Sequence, residues 1–127
     1  GPDRIVTGII GAGPRAMHGR QAFIPDHRWQ MEALHDAFAQ SSGDLNYIGD
    51  WHTNPVGPTI MSSEDERTLR RIGRRITAPA MIIVDPSRAP AEIASWTLES
   101  SGWFARSVQP LEPRYFQPLP NWPTYFR

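Results

Sequence analysis

The sequence predicts a mixed α/β sandwich, a curved sheet flanked by helices. Three observations point there. Strand-like and helix-like segments alternate before a run of strands, the order in which helices cover a sheet. Two segments space their apolar residues for a helix, and AMIIV at Ala80–Val84 has the length and branching of a buried strand. The 127 residues are 39% apolar, which supports one modest core rather than disorder.

Arg4–Ile10, RIVTGII, is β-branched and ends at Gly11 and Gly13-Pro14, so it reads as a strand. Ala12–Gln21 reads as a Gly- and Arg-rich loop, and Ala22–Ile24 as a short strand stopped by Pro25-Asp26. GAGPRA at 11–16 is no dinucleotide fingerprint, because Ala16 takes the third Gly position and no helix follows at once. His27–Gln40 sets Met31, Leu34 and Phe38 at helical intervals, with Trp29 and Ala33 close by. Pro25-Asp26 starts that helix and Ser41-Ser42-Gly43-Asp44 closes it.

Leu45–His52, LNYIGDWH, reads as a strand and Thr53–Met61 as the loop after it. Ser63–Thr77 reads as the second helix, with Ser63 and Glu66 as its capping box and Leu69, Ile72 and Ile76 as its buried stripe. The Ala80–Val84 strand stops at Asp85-Pro86. Ile93–Glu99 and Trp103–Val108 read as a hairpin about the Ser100-Ser101-Gly102 turn. Pro110–Arg127 is rich in Pro and aromatics and reads as an extended tail that wraps the domain or docks a partner. The expected organisation is one domain over residues 1–109 and a tail over 110–127.

Composition removes several function classes. Thirteen basic and 13 acidic residues leave a formal charge of zero, so no global field draws the chain to nucleic acid or to an anionic membrane. There is no Cys, which excludes disulfides and thiolate metal sites and leaves His, Asp, Glu and Asn as ligands. No run approaches the ~18 apolar residues of a membrane span and no signal-peptide pattern appears, so the cytoplasm is the expected location.

The chemistry concentrates in residues 47–65, YIGDWHTNPVGPTIMSSED. A strand ends in His52, a Pro-rich loop follows, and Ser62 and Asp65 stand at the mouth of a helix. Trp51-His52-Thr53-Asn54-Pro55, then six residues, then Ser62-Ser63-Glu64-Asp65, resembles the motif of the JAMM/MPN+ metalloproteases. That motif is His-x-His-Pro, six residues, Ser, two residues, Asp. Pro55, Ser62 and Asp65 fall on its spacing without a gap, and Tyr47–Trp51 is similar to the approach strand of prokaryotic JAB proteins. RIVTGIIGAGP also resembles the strand after the family's glutamate-bearing strand.

The resemblance implies an MPN/JAB (cytidine deaminase-like) sandwich over residues 1–109, a zinc cofactor, and a ubiquitin-like protein or its conjugate as partner. It implies cleavage of isopeptide or peptide bonds after the C-terminus of that partner. It assigns His52 and Asp65 as metal ligands, Asn54 to the second His position, and Ser62 as the catalytic residue that stabilises the oxyanion. The family's general base is a Glu on an upstream strand. The chain opens Gly1-Pro2 without Met and enters a strand at once, so that Glu strand and the helix before it are expected upstream of Arg4, outside this sequence.

The spacing suits this chemistry. Residues i and i+2 at a strand end point the same way, so positions 52 and 54 can share one ion, and Asp65 brings an oxygen from the first helical turn. Three protein ligands plus one open water position is the pattern of catalytic zinc, and the ion lowers the pKa of that water toward ~7. Asn54 departs from the pattern. A neutral amide oxygen suits Ca or Mg better than zinc, so a set of one His, one Asp and one Asn should bind zinc poorly. The expected function is a zinc metallopeptidase impaired at Asn54. The alternative is an inactive MPN fold that serves as a binding scaffold.

Other residues have simpler readings. Ser62, Ser63 and Asp65 suit a helix cap, and Asn54 suits a turn before Pro55. His18, His27 and His35 are scattered, the last two being solvent-facing on the first helix. Arg67, Arg70, Arg71, Arg74 and Arg75 form a solvated helix face, with anion binding as their alternative. Trp51, Trp96 and Trp103 are expected in the core, and Trp122 and Tyr125 at an interface.

Overall fold

The structure of the chain, a computed structural model, describes residues 4–18, 23–54, 57–101, 105–115, 117 and 119–127. Gly1-Pro2, Ala22 of the predicted short strand, Pro55 of the motif and Trp103 of the hairpin lie outside them. The architecture is mixed α/β. Its elements are β1 (Gly8–Ile9), β2 (Met17–His18), β3 (Phe23–Ile24), α1 (His27–Gln40), β4 (Gly49–Thr53), α2 (Ser63–Ile72), β5 (Ala80–Asp85), β6 (Glu92–Ser101), β7 (Ala105–Leu111) and β8 (Tyr125–Phe126). The chain forms two compact units, Gly1–Tyr47 with Phe116–Arg127, and Ile48–Tyr115.

In the first unit, α1 has the predicted bounds. The Asp26 carboxylate accepts from the Trp29 N–H at 3.2 Å and caps it. The buried face differs from the expected stripe. Ala33 and Ala37 are buried, whereas Met31 and Phe38 are about half exposed. Leu34, the third residue of the expected stripe, is half-buried. β1 is two residues long rather than spanning Arg4–Ile10, because its parallel partner, the chain end from Tyr125 to Arg127, reaches only from Thr7 to Gly11. The end of the tail is tied into this unit. The Tyr125 hydroxyl donates to Asp36 at 2.9 Å, and the Arg127 guanidinium sits 5.6 Å from the centre of the Trp29 ring. β2 pairs antiparallel with β3, and there His18 tilts against Phe23.

The second unit is a four-stranded mixed sheet, ordered β4-β5-β6-β7, with α2 against it. β4 and β5 run parallel, joined through α2, while β6 and β7 form the antiparallel hairpin anticipated from the turn residues. β7 continues to Leu111, past the expected start of the tail. On β5, Met81, Ile83 and Asp85 are buried, the alternation of a strand covered mainly on one face. Leu69 of α2, Met81 and Leu98 form the core, with Met61, Trp96 and Val108 packed around them. Trp51 is 40% exposed and is not a core residue.

α2 ends at Ile72 rather than Thr77. The Gly73 N–H returns to the Leu69 carbonyl, and turns carry the chain to β5. The β4–β5 pairing depends on Gly49, where any Cβ would collide with the backbone of Ala80. Gly49→Ala is expected to destabilise the second unit by roughly 3 kcal/mol, since backbone must move rather than a side-chain tip. Urea unfolding followed by tryptophan fluorescence checks this.

Candidate functional site

The motif residues meet at the carboxyl end of parallel strand β4 and the start of α2. Ligand sites of α/β sheets favour the carboxyl ends of such strands. The β4–β5 ladder pairs His52 with Ile83 and Thr53 with Val84, and the Asn54 N–H extends it with a 2.8 Å bond to the Val84 carbonyl. His52 and Asn54 are half-buried while Thr53 between them is exposed, as a strand end requires.

Ser62 caps α2, and Asp65 completes the box. The Asp65 N–H donates to Ser62 Oγ at 3.1 Å, and the Ser62 N–H donates to Asp65 Oδ2 at 3.0 Å. This is one residue earlier than the Ser63 and Glu66 pair expected from the sequence. Both Ser62-x-x-Asp65 and Ser63-x-x-Glu66 satisfy the cap pattern, and the loop geometry selects the first. Ser62→Ala is expected to cost about 1 kcal/mol of stability by orphaning the Asp65 N–H, readable as a lower urea midpoint.

The other Asp65 oxygen, Oδ1, lies 3.0 Å from His52 Nε2, while His52 Nδ1 lies 3.3 Å from the Thr53 carbonyl. Both partners only accept, so a neutral imidazole donates to one of them; with Nδ1–H on the Thr53 carbonyl, Nε2 is the nitrogen left to face an ion, as in a metal-binding His. The His52 side chain is 41% exposed and that of Asp65 17%, so the pair is reachable from solvent. Two donors on one tetrahedral zinc at about 2.0–2.1 Å would stand about 3.3 Å apart. His52 and Asp65 therefore suit a shared ion with little movement.

The third position does not. The Asn54 Nδ2 donates to the Pro58 carbonyl at 2.9 Å, and a Cβ at Gly57 would fall within 2.9 Å of that amide. The loop folds over Asn54, which is engaged as a turn residue. Among the described residues no three His, Cys, Asp or Glu side chains come together as a metal set. With two strong donors and one loop-bound amide, the residues present do not fit a firmly held zinc.

The remaining candidates sit apart from the motif. His27 and His35 are exposed on α1, where His35 lines a shallow groove with Arg28, Met31 and Glu32. Arg67, Arg70, Arg71, Arg74 and Arg75 are exposed, with Arg70 bonded to Glu66 and to the Arg106 carbonyl. Trp122 and Tyr125 are half-buried. A polar group with no motif signature joins Thr59 of the loop to Glu92, beside Asp85 where β5 ends and β6 begins. Asp85-Pro86 was visible as a stop signal, but Asp85 is a buried carboxylate at 2% exposure. No helix among the described residues is long and apolar enough to cross a membrane.

No known family profile matches the chain. It is 34% identical to the probable metalloprotease y4qB of Sinorhizobium fredii over 85 residues, which cover 63% of this chain and 52% of that protein. The chain thus spans about half the length of the curated relative it matches, a protein named as a metalloprotease.

Proposed function

We propose that this chain carries a JAMM-type metallopeptidase site from which one zinc ligand is missing. The observation that carries the reading is the convergence of His52, Ser62 and Asp65, in the motif's spacing, at one strand end and helix start. Similarity to a probable metalloprotease supports the coarser statement, a metallopeptidase and hence a metal cofactor. The finer assignments are zinc, an MPN/JAB fold, and isopeptide cleavage after the C-terminus of a ubiquitin-like protein.

In this reading His52 and Asp65 are ligands and Ser62 is the oxyanion donor. Ser62 Oγ accepts from the Asp65 N–H, which leaves its own hydrogen free to point away from the cap. Asn54 leaves the set incomplete, so we derive no hydrolytic step for the chain as it stands.

The test is proteolysis. Asn54→His in the full-length protein is expected to cleave a ubiquitin-like conjugate and to stop when a chelator is added. Zinc bound without any cleavage removes the peptidase reading. Ser62→Asp in that protein is a control that separates two roles. A carboxylate still caps the helix but donates no hydrogen bond, so stability is kept while turnover falls about 100-fold.

A second reading is favoured by the Asn54 bond to Pro58, which uses the ligand position to hold a loop. In it the fold is an inactive scaffold that binds a protein partner. Cleavage by the Asn54→His protein favours the enzyme, and zinc binding without cleavage favours the scaffold.

A further inference from the structure

The loop between Asn54 and Ser62 separates the strand-end residues of the motif from the helix-start residues. Its length is compatible with many separations of the two groups, so something must fix its path. Near its centre, Thr59 is 9% exposed, and its hydroxyl donates 2.9 Å to Glu92 Oε1, 33 positions away on β6. Glu92 is paired with Asp85 across the β5–β6 ladder. Arg88 Nε lies 3.3 Å from Glu92 Oε2 and 3.5 Å from Asp85 Oδ2. Asp85 is itself buried and accepts from both the N–H and the hydroxyl of Ser87. The acceptor for Thr59 therefore sits at the start of β6, beside the end of β5, and is tied to the buried Asp85 through Arg88. Met61, two residues on, packs against the Leu69, Met81 and Leu98 core and leads directly into Ser62.

We infer that Thr59 and Glu92 form a latch that positions Ser62 and Asp65 against His52. Both are positioning residues, because neither touches the candidate ligands. Arg88, between the Asp85 and Glu92 carboxylates, holds Glu92 in place. The inference deepens the metal-site reading and rests on it for the consequence, but the latch also has a signature in the metal-free chain.

The experiment compares Thr59→Val, which keeps shape and loses the hydroxyl, with Thr59→Ser, which keeps the hydroxyl. Each is made alone and with Asn54→His. In the first arm, hydrogen exchange is measured without metal. Thr59→Val is expected to speed exchange of the Asp65 N–H about fivefold, the size of one lost hydrogen bond, while β5 amides are unchanged and Thr59→Ser matches the parent. In the second arm, zinc affinity is measured in the Asn54→His background. Thr59→Val is expected to weaken it about 10-fold and Thr59→Ser to preserve it. Equal exchange in the Val and Ser proteins, or equal acceleration of β5, overturns the latch. If Asn54→His holds no zinc at all, the metal reading fails, and the exchange arm still decides the latch.

Discussion

Asn54→His is expected to raise zinc affinity on the order of 100-fold, to about one ion retained per chain after desalting, whereas the parent retains little. The reason is local. His52 Nε2 and Asp65 Oδ1 are 3.0 Å apart, close to the edge of a tetrahedral zinc shell, so two donors are already in place. Asn54 is on the same side of the strand end, but its amide is committed to the Pro58 carbonyl. An imidazole in its place supplies a better donor for zinc than a neutral amide oxygen does. The substitution also removes the Pro58 bond, so the loop should loosen in the metal-free protein and tighten on loading. Mass spectrometry of matched, zinc-loaded samples reads the first effect, and melting with and without zinc reads the second. The gain should vanish when His52→Ala is added, because one imidazole and a carboxylate do not complete the set.

Leu69→Ala should have the largest effect on stability, about 2–5 kcal/mol. Leu69 is fully buried and joins α2 to Met81 of β5 and Leu98 of β6. Its loss leaves a cavity between helix and sheet, where backbone pairing limits collapse. Native domains are stable by only about 5–15 kcal/mol, so this change consumes much of the margin. The functional consequence follows from position. Ser62 and Asp65 lie at the other end of the same short helix, so undocking α2 releases half of the candidate site. Calorimetry should show a melting temperature lower by on the order of 10 °C or more. An exposed control, Arg67→Ala, should change it little.

Elements dictated by local chemistry were legible in the residues themselves. β5 showed as an apolar run closed by Asp85-Pro86, and α1 as a periodic segment between Asp26 and Ser41. The candidate site was legible for the same reason, since His52, Ser62 and Asp65 lie on one continuous stretch. What the sequence concealed depends on distant partners. β1 shrinks to two residues because its partner is a short segment at the opposite end of the chain, whose extent no local pattern near β1 reveals. The most buried residues of α1 are Ala33 and Ala37, and apolar spacing alone does not single out small residues as the covered ones. The α2 cap moved by one residue because two overlapping Ser-x-x-acid pairs compete there. The Thr59–Glu92 tie, across 33 positions, has no local signature at all.

The most direct measurement is anomalous diffraction at the zinc edge on crystals of zinc-loaded Asn54→His. The expected result is one peak within bonding distance of His52 Nε2, of an Asp65 carboxylate oxygen and of the introduced imidazole, with one position left to solvent. A peak bound elsewhere, such as at the exposed histidines of α1, or no peak beside His52, contradicts the assignment of this motif as a metal centre.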